Sequence, residues 1–277
     1  MENRKCKQIK IQVRFLTKLI FILSPIFSFG QCFEKNIAFQ EGELITYSVS
    51  YNWGFLWVNA GEAYFKVDST IYNGRKAYFI DSYGTTFKEY DWIFKVRDRY
   101  QAIVDKETLR PLKFSRDVYE GGLKIDEKYV YDYSKNLIYS DIEKSKEPRI
   151  TDTLKLSPCT FDVLSMIYFA RNLDFSKYKV GDKIPISLII DNSVYDLYIR
   201  YQGKEIVETR TGQKFPCIKF TPLLVEGTIF SGGEEMTAWV TDDDNKIPIF
   251  IEANILVGYI KVYISGLKGL RNKGSKK

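Results

Sequence analysis

Histidine is absent from all 277 residues. That excludes Ser-His-Asp and Cys-His catalysis, His-ligated zinc and the commonest general base near neutral pH. Carboxylate, lysine and oxygen-ligated metal chemistry remain open. A second long apolar run is also missing. The one that exists, Leu19-Ile20-Phe21-Ile22-Leu23 with Ile26-Phe27, falls short of the roughly 20 apolar residues that span a bilayer. Cysteine is sparse, with four residues, and methionine sparser, with three.

That apolar run sits in a leader. Arg4, Lys5, Lys7, Lys10, Arg14 and Lys18 precede it, and Ser28 and Gly30 flank Phe29 near its end. A basic start, an apolar centre and small residues at −3 and −1 describe a secretory signal peptide, cleaved near Gly30. Gln31 precedes Cys32 where a lipidation box has a small residue, so release is expected rather than a lipid anchor. The chain thus divides into a signal peptide at 1–30, a single exported β-rich domain at 31–267 and a basic, flexible tail at 268–277. The expected address is the periplasm or the exterior, with no transmembrane span after cleavage.

Removing the leader also removes most of the positive charge. Residues 1–30 hold six of the 41 basic and one of the 35 acidic residues, so the stated +6 becomes about +1. Five more basic residues, Lys268, Arg271, Lys273, Lys276 and Lys277, lie in the last ten positions. The body between is mildly acidic, which does not suit a nucleic-acid partner.

Aromatics are abundant, with 20 Tyr and 19 Phe. Such side chains suit a pleated, half-buried surface. From Glu43 onward Ile45, Tyr47, Val49 and Tyr51 alternate with Thr46, Ser48 and Ser50, the two-residue period of a strand. Turn signals recur at Asn73-Gly74, Gly121-Gly122, Asp191-Asn192, Gly203 and Gly232-Gly233. The expected fold is all-β: a mainly antiparallel, strongly curved sheet, open barrel or sandwich. Residues 141–157 read as a charged surface connection between two β halves. One segment departs from the rhythm. Phe161, Leu164, Ile167 and Tyr168 stand near helical spacing, which predicts one substantial α-helix near 160–173, capped by Ser157-Pro158 or Thr160.

The candidate sites each have a plain structural alternative. Trp53, Phe55 and Trp57 alternate within five residues. Exposed, they would stack on sugars or lie against lipid; buried, they are β core. Phe161, Leu164 and Tyr168 would pack the helix on the sheet or wall a ligand cavity. Asp242-Asp243-Asp244-Asn245 offers oxygens to calcium but lacks the EF-hand spacing, and Asp and Asn build turns equally well. Glu234-Glu235, Glu41/Glu43 and Asp81/Asp91 are the carboxylate pairs a His-independent glycoside hydrolase would need. Cys159 and Cys217 are the disulfide candidates in an oxidising compartment. No cofactor is implied.

The chain resembles the DUF3108 family of exported bacterial proteins. The residues that carry the resemblance are Phe39-Gln40-Glu41-Gly42-Glu43 leading to Tyr47, Gly61, Asp105 through Thr108-Leu109-Arg110-Pro111, and Phe161-Asp162-Val163-Leu164-Ser165. Gly181-Asp182, Gly212 with Phe215-Pro216-Cys217, Trp239, Asp243-Asp244-Asn245, Pro248 and Gly258 complete it. The resemblance implies an all-β exported protein and supplies no catalytic residues. At fold level a curved sheet embracing a helix is also similar to periplasmic lipoprotein carriers of the LolA type, an analogy that does not fix function. The functional expectation is a non-catalytic envelope protein holding a lipid or other amphipathic ligand in a curved-sheet cavity. The alternatives are a structural or interaction module meeting an envelope protein or glycan, and a carboxylate enzyme.

Overall fold

The computed structural model describes residues 35–273, except 54, 228, 229 and 257 and the side chain of Trp53. Residues 1–34, on which the expected signal peptide falls, and residues 274–277 lie outside this range.

The first half is a meander. Its strands are β1 (Leu44–Trp53), β2 (Leu56–Tyr72), β3 (Arg75–Thr86), β4 (Val96–Asp105), β5 (Pro111–Glu120), β6 (Leu123–Asp132), β7 (Leu137–Lys144) and β8 (Ile150–Lys155). A one-turn helix, α1 (Asp91–Phe94), interrupts the β3–β4 connection. The second half opens with the two-residue β9 (Thr160–Phe161) and the helix α2 (Val163–Ala170). It continues through β10 (Lys183–Ile190), β11 (Ser193–Glu208), β12 (Lys214–Pro222), β13 (Leu224–Glu226), β14 (Ser231–Gly233), β15 (Met236–Thr241), β16 (Pro248–Ile255) and β17 (Gly258–Lys268). Fifteen strands form one sheet in the order β8-β7-β6-β5-β4-β3-β2-β1-β17-β16-β15-β12-β11-β10-β9, and β13 pairs only with β14. All pairings are antiparallel except β9 with β10.

The sheet curls around α2. Leu164 and Tyr168 pack into a core with residues of β2 to β7 and Ile189 of β10. Phe169, one position on, belongs to a second core with β10, β11, β12 and β15. A helix that feeds two cores from adjacent faces must lie between the two halves of the sheet. The fold is therefore barrel-like, yet unclosed: β8 and β9 are its two edges.

Turn chemistry explains most of the strand register. Asn73-Gly74 and Asp191-Asn192 have positive φ at both positions, the conformation two-residue hairpin turns require. Bulges account for departures from the alternation. The register shifts between Val49 and Ser50, so Ser50 is buried while Val49 is only half-buried. Opposite this bulge, a Cβ on Gly61 would stand 2.3 Å from the Thr85 carbonyl oxygen, which explains the glycine.

Four expectations need correction. Residues 141–157 are not a loop: β7 ends and β8 lies within them, and β8 is exposed along nearly its whole length because it is an edge. Gly203 is not a turn between strands but a bulge inside the 16-residue β11. The helix is shorter than residues 160–173, because Thr160-Phe161 pairs with β10 and Asp162 caps the helix by accepting from the Ser165 amide at 2.8 Å. The described part of the tail, up to residue 273, is held through Asn272. Asn272 exchanges two 2.9 Å hydrogen bonds with the Asn245 side chain, and Arg271 donates to the Phe39 carbonyl at 3.2 Å.

Candidate functional site

Antiparallel alternation sends the β1–β2, β3–β4, β5–β6, β7–β8, β10–β11 and β16–β17 connections to the same rim of the curled sheet. Three of these connections each carry a large apolar side chain that is more than half exposed. The β1–β2 tip presents Phe55, 91% exposed, with Leu56 and Trp57. The β3–β4 connection presents Trp92, 76% exposed, with Ile93 and Phe94. The β16–β17 tip adds Leu256. Burying one such side chain is worth roughly 1.5–3 kcal/mol, so several left out together at one rim mark a contact surface.

The rim is positioned, not merely exposed. Trp57 meets Tyr259 edge-on, with ring centroids 5.8 Å apart, and the Lys261 ammonium sits 4.7 Å from its ring centre. Lys261 is in turn paired with Glu252 at 3.1 Å. A polar clamp holds α1. The Thr86 hydroxyl donates to Asp91 at 2.8 Å, and Arg97 reaches both Asp91 oxygens at 3.0 and 2.6 Å. The Arg97 guanidinium keeps the Asp91 carboxyl below the usual aspartate range. Phe94 lies over the β5–β6 turn, where any Cβ on Gly121 would collide with its ring.

Of the aromatic triplet, Trp53 ends β1 and pairs with Leu56, Phe55 occupies the turn, and Trp57 starts back along β2 opposite Asn52. The segment is a hairpin tip, not one extended face, because the pairing of Trp53 with Leu56 and of Asn52 with Trp57 folds it back on itself. Trp92, Ile93, Phe94 and Leu256 were missed. The signal of the first three is the run Asp91-Trp92-Ile93-Phe94 between two strand patterns, too short to show helical period.

Phe161, Leu164 and Tyr168 are each at most 2% exposed. Phe161 stacks on Phe169 at 4.5 Å, and Tyr168 meets Phe39 edge-on at 4.8 Å. Two clefts among the described residues hold about 160 and 240 Å³. Small-molecule pockets run to roughly 300–1,000 Å³. Phe161 touches the smaller cleft, beside Arg110, Tyr133 and Cys159.

Cys159 and Cys217 do not pair. Cys217 is a free, fully buried thiol packed with Ile45, Tyr47, Trp239 and Ile249, with burial pushing its pKa up to about 12. Cys159 is disulfide-bonded elsewhere. The carboxylates are committed to structure. Asp81 accepts from Arg99, Gln101 and Tyr64; Glu234 accepts from Arg200 and Tyr198; Glu41 pairs with Lys106; Glu43 is buried against Arg171. Asp243 builds its own turn, accepting from Thr241, the Asn245 amide and the Lys246 amide, while Asp242 pairs with Lys204. Among the described residues no cluster of three or more acidic or cysteine ligands could hold a metal.

The family model described as a protein of unknown function, DUF3108, matches residues 46–265. A solved structure of similar fold is the crystal structure of a beta-barrel-like protein of the domain of unknown function DUF1849 from Brucella abortus. It has a TM-score of 0.54 and 9% identity, covering 83% of this chain and 98% of that one. At that identity the likeness concerns the fold alone. A search of curated proteins returns no match.

Proposed function

The chain belongs to the DUF3108 family, and from that premise we propose that it is an exported, non-catalytic binding protein of the cell envelope. Its contact surface is the aromatic rim, and its partner is amphipathic, with a lipid bilayer surface as the best fit. The observation that carries this reading is the convergence of Phe55, Leu56, Trp57, Trp92, Ile93, Phe94 and Leu256 at one rim. Tryptophan and phenylalanine at the ends of strands suit the membrane–water boundary, where an apolar ring meets a polar edge. Lys261 over Trp57 adds a cation at headgroup level.

A lipid held inside the curved sheet is the weaker form of the idea. The helix fills the interior, and the clefts of about 160 and 240 Å³ are small for an acyl chain. A protein or glycan partner at the same rim is the second reading, favoured by the exposure of Trp92. Co-sedimentation with phosphatidylethanolamine–phosphatidylglycerol vesicles tests the first. Binding lost on replacing Phe55, Trp57 and Trp92 by Ser supports it, and no binding by the unaltered protein removes it.

A further inference from the structure

The four cysteines leave one pairing within the mature chain. Cys159 is disulfide-bonded, and Cys217 is a free, buried thiol. Cys6 belongs to the expected signal peptide and leaves with it. The remaining sulfur is that of Cys32, which lies outside the described residues.

The described residues on either side of this pairing converge on one part of the fold. Cys159 stands half-buried in the connection from β8 to β9, three residues after Leu156. Leu156 shares a core with Ala38, Phe39, Leu109 and Leu164. The N-terminal segment is fixed against that same core. The Asn36 side chain donates to the Tyr78 hydroxyl at 3.2 Å and to the Phe39 carbonyl at 3.0 Å. The Ile37 and Ala38 amides donate to the Asn172 side chain at 2.8 and 3.2 Å. Tyr78 pairs with Val104 and Val104 with Pro111, and Pro111 lines the same cleft as Cys159. Two strand spacings, about 10 Å in all, therefore separate Tyr78 from the wall of that cleft. From Lys35 back to Cys32 the chain has a reach of about 10 Å as well. Antiparallel alternation puts the β8–β9 connection at the rim opposite Phe55 and Trp92, away from the aromatic tips.

We propose that Cys32 and Cys159 form a disulfide that staples the N-terminal segment of the mature chain to the β8–β9 connection. This bond, rather than a lipid thioether, is the fate of the Cys32 sulfur. Two thiols become one S–S bond. The two electrons and two protons they lose reduce the disulfide of an oxidoreductase in the exporting compartment to two thiols. The staple joins the segment before β1 to the link between the two edge strands, β8 and β9. It also closes a long loop, from 32 to 159, which restricts the unfolded chain.

Peptide mapping by mass spectrometry tests this on protein expressed with its own leader in an exporting bacterial host and alkylated without reductant. The expected result is one linked pair, Cys32 with Cys159, lighter than the two separate peptides by two hydrogens and separated on reduction. Cys32→Ser is expected to open Cys159 to alkylation without reductant while Cys217 stays protected. That protection reports an intact fold, and the linked pair in the unaltered protein decides the matter even where the variant does not fold. A Cys159 link to Cys6 or Cys217, a reducible dimer through Cys159, a free Cys159 thiol or an acylated Cys32 peptide overturns the proposal.

Discussion

Arg171 and Glu43, 128 positions apart, meet as a two-pronged ion pair with bonds of 2.6 and 2.8 Å, both side chains almost wholly buried. Arg171 also donates to the carbonyls of Asn245 and Ala38 at 3.0 and 3.2 Å. One guanidinium at the end of α2 thereby ties the N-terminal segment, the start of β1 and the β15–β16 loop together. Removing either partner leaves an unpaired buried charge. Glu43→Ala and Arg171→Ala are each expected to cost about 3–5 kcal/mol, read from urea midpoints. The double variant is expected to lose less than the sum of the two.

Tyr168 separates packing from polarity in the helix. Its hydroxyl is buried and has no hydrogen-bond partner among the described residues. Tyr168→Phe is therefore expected to leave stability unchanged or raise it. Leu164→Ala, beside it in the same core, is expected to cost about 2–5 kcal/mol. Thermal unfolding of the two variants checks both.

Thiol chemistry gives a different readout. Cys217 is expected to resist alkylation in the folded protein and to label on unfolding without reductant. Cys159 is expected to label only after reduction. Peptide mapping distinguishes them, and labelling of Cys159 without reductant would contradict the structure.

The pH profile of stability has a worked sign. Burial lifts Asp162 to about 6, and burial with Glu120 lifts Asp98 to about 8, against an ordinary 3.8. Between about pH 4 and 8 the folded chain holds protons that the unfolded chain has released, so stability falls as pH rises through that window. Asp81 and Asp191, held low by hydrogen bonds and cationic neighbours despite burial, act oppositely and cost stability below about pH 4. Asp98→Asn is expected to flatten the upper part of the decline, and Asp162→Asn the lower. Urea midpoints at pH 5, 7 and 9 measure this.

Local signals were sufficient wherever one turn or one face decided the structure. Asn73-Gly74, Gly121-Gly122 and Asp191-Asn192 are turns because positive φ is a local requirement. The curled all-β architecture followed from many such strands. The edge strand β8 was hidden because an edge with little burial shows no alternation. Asp162 was hidden as a cap because Thr160 and Ser157 offered equal local chemistry, and only the pairing of Thr160-Phe161 with β10 decides between them. The rim was half legible. Phe55 and Trp57 stood out by spacing, but nothing local reveals that Trp92 and Leu256 arrive at the same end; strand parity does that.

The central claim is that contact is made by the rim, not by an internal cavity. Vesicle co-sedimentation of the unaltered protein and of a Phe55→Ser, Trp57→Ser, Trp92→Ser variant of unchanged melting temperature tests it most directly. The account predicts that the unaltered protein pellets with the vesicles and the variant stays in the supernatant. Equal pelleting of both, with a stoichiometric lipid retained by both in native mass spectra, would contradict it.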